Sequence, residues 1–215
     1  VIPMISDYVI SRDRYLLMAD QHRPLWAALH RFVYSNKVQT LMEAGCGVAE
    51  LSHVVDEYVG IDVNVSVLKE NEHFYSKRSV WINDDWRNVD VRSKPVDMFL
   101  AAGTIERCDS CETFLSHVLD IPRLKYAVVT FHKGLRHEAS PRTGREGWFN
   151  NYISESEVTH WLESNVQTHW WLCNLPHSRS PRWRSKQWDT VLVVDWTKQA
   201  QLDMWQPRVG HNVTS

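Results

Sequence analysis

Between a short apolar run, Val38 to Glu43, and a helix candidate, Val48 to Val55, the chain carries the turn Glu43-Ala44-Gly45-Cys46-Gly47-Val48-Ala49. Glycines at 45 and 47 let the backbone bend sharply and come close to a ligand. A helix starting there would aim its free N–H groups at that ligand. The next strand candidate, Glu57 to Asp62, ends in an acid about 20 residues beyond the turn. A carboxylate at that place can accept both hydroxyls of a ribose. Strand, glycine turn, helix, strand and acid are the opening of a nucleotide-binding α/β unit.

The remainder keeps the alternation of a parallel sheet with crossover helices. Val65 to Tyr75 is helical in period, Ser79 to Asn83 and Val96 to Ala102 read as strands, Cys111 to Leu119 as a helix, and Tyr126 to His132 as a strand. Ahead of the first strand, Ser6 to Ser35 reads as two helices, the second opened by Pro24. A long loop, Lys133 to Tyr152, precedes a helix that Ser154 and Glu157 start with a capping box. Two aromatic and β-branched runs, Thr168 to Leu175 and Trp188 to Trp196, close the chain as an antiparallel pair, and the tail from Thr197 reads as loosely ordered. The 215 residues suit one domain: a helical cap at 1–37, an α/β core at 38–198 and a tail at 199–215.

Composition excludes several classes. A net charge of −2 carries no strongly basic footprint, so nucleic acid is not demanded as a partner. No apolar run approaches the roughly 20 residues that span a bilayer. Cys46, Cys108, Cys111 and Cys173 show no disulfide spacing, which makes a reducing, cytoplasmic setting the default expectation. Cys108-x-x-Cys111 lacks a second pair, and His117 alone does not complete a zinc site, so no metal is expected.

Two cofactor classes share the glycine-turn layout. A dinucleotide fold wants a third glycine, where this chain has Val48, Ala49 and Glu50. Glu50 in a first helical turn would oppose a pyrophosphate. Glu43 before the turn suits a cationic ligand, such as the amino group of a methionine moiety. On these residues the chain resembles class I S-adenosylmethionine-dependent methyltransferases over roughly 38–198, the first 37 residues resembling the helical cap of many members. The resemblance implies a Rossmann-like, seven-stranded, mostly parallel sheet with helices on both faces and an antiparallel last strand. It implies that Glu43, Gly45, Cys46 and Gly47 hold the methionine part of S-adenosylmethionine, and that Asp62 with Val63 meets the ribose. Asp84 or Asp85 would contact the adenine amino group, with Trp86 against the adenine face. Ala101-Ala102-Gly103-Thr104-Ile105-Glu106 resembles the segment lining the methyl-transfer site, which assigns Ala102 and Ile105 to the cofactor. Ala49, where a third glycine is common, is the departure.

Methyl transfer is an in-line displacement, and a base is needed only where the acceptor holds a proton. Glu106 after the fourth strand and His132 ending the fifth are the candidates; alternatively Glu106 caps the next turn and His132 bonds the loop. His137, Asn150 and Tyr152 are placed to meet an acceptor. Tyr8, Arg14, Tyr15 and His22 either close over the cofactor or pack on the sheet. The segment after the fourth strand lacks the Asn/Asp-Pro-Pro-aromatic pattern of base amino-methylation. Cys108 and Cys111 lack the preceding proline of carbon-5 methylation. A small-molecule acceptor is the first expectation. RNA or DNA, met through Arg179, Arg182, Arg184 and Lys186 between Trp183 and Trp188, is the second. A catalytically inactive cofactor-binding partner or sensor, and transfer of a different group from the sulfonium, complete the alternatives.

Overall fold

The computed structural model describes residues 11–75, 78–132, 135, 152–176, 188–202 and 205–211. Helices α1 (Arg12–Gln21) and α2 (Arg23–Ser35) precede β1 (Thr40–Ala44), β2 (Glu57–Asp62), α3 (Val65–Phe74), β3 (Ser79–Asn83) and β4 (Met98–Ala102). Then come α4 (Cys111–Leu119), β5 (Tyr126–Phe131), α5 (Glu155–Asn165), β6 (His169–Pro176), β7 (Trp188–Asp195) and β8 (Gln206–His211).

Side chains alternate along the central strands with both phases apolar. Met42, Phe99, Ala101, Ala127 and Val129 join one buried cluster, while Leu41, Met98, Leu100, Tyr126 and Val128 join another. A strand with two apolar faces is stable only inside a sheet covered on both sides. On the first face lie Phe114, Leu115 and Val118 of α4 with Val158, Trp161 and Leu162 of α5. On the second, Leu25, Leu29, Phe32 and Val33 of α2 form a stripe at helical spacing. Local signals fix where helices begin. Ser154 Oγ accepts from the Glu157 N–H, Ser110 from Thr113 and Asn64 from Ser66.

The strands make one sheet in the order β3-β2-β1-β4-β5-β7-β6-β8. β1 to β5 pair in parallel, and β7 is inserted antiparallel between β5 and β6. The seven-stranded arrangement expected from the sequence is therefore present, with an eighth strand at its edge. That strand corrects the reading of a loose tail: β8 pairs antiparallel with β6, with a register shift between Leu172 and Cys173. Its sequence, Gln-Pro-Arg-Val-Gly-His, lacks alternation, and its proline suits an edge position. The buried ring of Trp205 leads into it, meeting Phe32 edge-on at 5.8 Å.

A second correction concerns the segment 48–55, which is not a helix. It is a chain of turns in which Ala49, Ser52 and Val54 donate N–H bonds to the carbonyls of Cys46, Ala49 and Leu51, at 2.8, 3.0 and 3.1 Å. Ala49 has φ 55°, a left-handed conformation from which a right-handed helix cannot start. Val54 and Val55 add weak helix propensity, and the buried Ala49 and Leu51 hold the path against the core. No helix among the described residues is long and apolar enough to cross a membrane.

Candidate active site and cofactor crevice

Strand order reverses between β1 and β4, since the chain runs outward from β1 to β3 and returns on the other side at β4. Open α/β sheets bind ligands outside the carboxyl ends of the strands at such a point. The glycine turn lies there. Gly45 and Gly47 have φ 68° and 48°, which explains glycine at both positions. The N–H groups of Gly45 and Cys46 donate to the Ile61 carbonyl at 2.8 and 3.1 Å, tying the turn to the end of β2. Asn71 Nδ2 donates to the Gly47 carbonyl at 2.7 Å, and the Tyr75 hydroxyl to that of Val48 at 2.9 Å. Arg12 Nη1 braces Asn71 at 3.0 Å. Side chains also fill the space the glycines leave. A Cβ on Gly45 would stand 2.2 Å from Thr104 Oγ1, and one on Gly47 would stand 2.9 Å from the Tyr15 ring.

Asp62, at the end of β2, faces this turn. Its Oδ2 accepts the Gly47 N–H at 2.9 Å and its Oδ1 the Asn64 N–H at 2.8 Å. Burial raises its pKa, while the backbone N–H bonds work against the rise. The Val63 N–H adds a third backbone bond, which leaves the carboxylate a lone pair for a ligand hydroxyl. Val63 beside it is exposed.

Glu43 is 1% exposed, and the Tyr58 hydroxyl donates to its Oε2 at 2.5 Å. Burial pushes its carboxyl up to about 8, with Glu50 and Asp62 adding to the rise and the Tyr58 bond opposing it. As placed, Glu43 offers a ligand no full negative charge at neutral pH. The Cys46 thiol is buried and held well above the ordinary thiol range for the same reason. Past β3, Asp85 is committed to Arg87, whose Nε and Nη2 donate to its two oxygens at 2.9 and 2.5 Å, and this pair lowers its pKa. Asp84 accepts from Asn88 Nδ2 at 3.0 Å. Trp86 is buried, its ring 4.6 Å from Phe99 and 4.7 Å from His117, so much of its surface belongs to the core.

On the other side of the switch point, Gly103 follows β4 with φ 71°, and its N–H donates to Thr130 Oγ1 at 2.9 Å. A Cβ there would stand 2.0 Å from His132 Cδ2, so the segment after β4 lies directly against that ring. His132 Nδ1 is bonded to Asp189 Oδ1 at 2.8 Å, and His22 Nδ1 to Asp189 Oδ2 at 2.9 Å. The two imidazoles stack with centroids 3.9 Å apart. Asp189 is fully buried. Pairing of Phe131 with Thr190 and of its strand neighbours brings the end of β5 beside the start of β7. The turn between α1 and α2 delivers His22. Sequence reasoning named His22 and His132 separately and missed Asp189; an acid among the apolar residues of β7 was the available signal. Ala102 is half-buried, Ile105 is fully buried, and Glu106 is 4% exposed in the 3-10 turn Ile105–Arg107.

Tyr152 lies elsewhere, in a cleft of about 550 Å³ between α4 and α5 that it shares with Asp109, Cys111, Glu157, His160 and Trp161. None of the crevice residues Gly45, Asp62, Gly103 and His132 lines that cleft. His137, Asn150, Arg179, Arg182, Arg184 and Lys186 lie outside the described residues, as do Tyr8 and the side chain of Arg14.

No protein-family model matches the sequence, and no curated protein is similar to it in sequence. Solved structures are similar in fold. A SAM-dependent methyltransferase of Thermotoga maritima superposes with a TM-score of 0.60 at 13% identity, over 89% of this chain and 97% of the other. Magnesium protoporphyrin IX methyltransferase of Synechocystis, with bound SAH, gives 0.58 at 12% identity over 89% and 90%. The 1,6-didemethyltoxoflavin-N1-methyltransferase of Burkholderia thailandensis gives 0.57 at 13% identity over 86% of each chain. With its glycine turn at the switch point and its antiparallel seventh strand inserted next to the fifth, the chain has the class I S-adenosylmethionine-dependent methyltransferase fold.

Proposed function

We propose that the protein binds S-adenosylmethionine and transfers its methyl group to a small-molecule acceptor. The observation that carries this reading is the pairing of the Gly45–Gly47 turn with Asp62 at the strand switch point, where the Gly47 N–H bonds the Asp62 carboxylate and the Gly45 and Cys46 N–H groups bond the neighbouring Ile61 carbonyl. Fold neighbours support the cofactor and the acceptor class by analogy. Two are named for small-molecule substrates, and both were crystallised with S-adenosylhomocysteine. Gly45, Cys46 and Gly47 would border the methionine part, and Asp62 with Val63 the ribose. Asp84, less committed than Asp85, would meet the adenine edge, with Ala102 and Ile105 below the transfer point. When bound, the cofactor supplies a methyl group on a sulfonium, which passes to an acceptor lone pair as the sulfur becomes a thioether. His132, oriented through Nδ1 by Asp189, turns its other ring nitrogen to the Gly103 segment, where an acceptor's proton would be taken. Glu106 would act there only after leaving its buried position. His137 and Asn150 complete the proposed acceptor contacts, and Tyr152, expected beside them, belongs instead to the α4–α5 cleft.

Calorimetric titration with S-adenosylmethionine and S-adenosylhomocysteine tests the reading, with Asp62→Ala alongside and its fold checked by circular dichroism. Binding near micromolar that is weakened at least about tenfold in the variant is the expected result. Absence of binding to the folded wild-type chain would overturn the proposal.

A further inference from the structure

We propose that His22, His132 and Asp189 bind a divalent cation of the zinc type at the acceptor side of the crevice. Two imidazoles and one carboxylate are a donor set suited to zinc, cobalt or ferrous ions rather than to magnesium or calcium. The three residues come from far apart in the chain: from the α1–α2 turn, the end of β5 and the start of β7. The folded sheet brings them together before any ion arrives. One ligand atom from each lies within 4.8 Å of the others. Both Nδ1 atoms already address the same carboxylate, at 2.8 and 2.9 Å. Donors sharing a tetrahedral ion stand about 3.4 Å apart, so each contact has to open by roughly half an ångström. Binding therefore requires small rotations of the two stacked imidazoles and of the carboxylate.

The position gives the ion a use. The His132 ring lies against Gly103 in the transfer segment. Three protein ligands leave at least one coordination position open. An acceptor with a proton-bearing oxygen, such as a phenol or a hydroxy acid, can fill it. A bound cation lowers the pKa of that oxygen, whose proton passes to water and whose lone pair then faces the methyl group. In that state His132 is a ligand and the cation replaces it in exposing the acceptor's lone pair. The inference deepens the methyl-transfer reading by naming what the acceptor side holds. Cation binding itself does not require the cofactor. It revises the expectation of no metal, which rested on the Cys108–Cys111 pair and could not register a cluster assembled only by folding.

The test is titration of the full, chelator-stripped chain with zinc by calorimetry and with cobalt by visible absorption, without S-adenosylmethionine. One ion per chain is expected, with cobalt d–d bands of a four- or five-coordinate site. His22→Gln and His132→Gln, each checked for fold by circular dichroism, are expected to weaken uptake at least about tenfold. Absence of one-to-one uptake, or equal uptake in both folded variants, overturns the proposal. Cofactor titration of the same samples separates the two readings. Cofactor binding without cation uptake sinks only the metal site, and cation uptake without cofactor binding sinks only the transferase.

Discussion

Glu43→Gln probes the buried carboxyl that precedes the glycine turn and accepts the Tyr58 hydroxyl. Glu43 is 1% exposed, and burial carries its pKa from 4.5 to about 8. Between those values the native state keeps a proton that the unfolded chain releases. The native state therefore binds more protons, and stability falls as pH rises through the window. A rise of about 3.5 in pKa at about 1.4 kcal/mol each corresponds to a loss on the order of 5 kcal/mol once the pH is well above 8. Between pH 5.5 and 8.5 about 3 kcal/mol of it develops. Glutamine has the shape of the protonated acid, cannot ionise, and keeps a carbonyl to accept the Tyr58 hydroxyl. Urea unfolding at pH 5.5, 7.0 and 8.5 is the assay. The stability difference between variant and wild type should move by about 3 kcal/mol in favour of glutamine across that range. Asp62, whose carboxyl is raised in the same direction, is present in both proteins and largely cancels. A difference that stays flat within about 0.5 kcal/mol would mean that Glu43 is ionised in the native state, and the reasoning would fail.

Gly103→Ala should destabilise by about 1–3 kcal/mol, because the position has φ 71° and its Cβ would collide with the His132 ring. An unchanged melting temperature would contradict the placement of that ring. Trp205→Ala should cost about 3 kcal/mol in urea unfolding and speed amide exchange in β8, since the buried indole anchors the edge strand. Exchange in β8 as slow as in wild type would deny it that role. Burial pushes the thiols of Cys108, Cys111 and Cys173 up to about 12 and that of Cys46 well above its ordinary value. Labelling by Ellman's reagent at pH 8 should thus be far slower in the native protein than in urea, and rapid native labelling would refute this.

The strands were legible because a sheet covered on both faces writes apolar residues into both phases, as Leu41 and Met42 or Val128 and Val129 do. The Ser154–Glu157 spacing marked the start of α5, and only its Ser154 bond is needed for that purpose. Gly45, Gly47 and Asp62 were legible because positive φ and an acid at a strand end leave local traces. The turns at 48–55 were not, because Asn71 and Tyr75 hold that backbone from another element. Trp86, which the resemblance sets against the adenine face, packs on Phe99 and His117 from other elements, contacts no local pattern reports. The His22–Asp189 bond joins residues 167 positions apart, a separation no local pattern reports. Backbone pairing and one tryptophan carry β8, so its own residues lack a strand's alternation.

The missing helix after the turn alters the argument about which ligand the turn selects. A dinucleotide fold sets its pyrophosphate on the N–H groups of a helix start. Here the N–H groups of Ala49, Ser52 and Val54 close turns on nearby carbonyls, those of Gly45 and Cys46 go to Ile61, and that of Gly47 goes to the Asp62 carboxylate. Glu50 stands in no first helical turn, yet the turn still disfavours a pyrophosphate. The turn offers a dianion little of the positive field that a helix start provides, and Asp62 lies beside it. A ligand carrying a sulfonium and an ammonium meets the opposite balance. NAD should accordingly leave the melting temperature unmoved at concentrations where S-adenosylhomocysteine raises it. A larger rise with NAD would reverse the assignment of the crevice, because the fold accommodates either ligand and the electrostatics of the turn are what separate them.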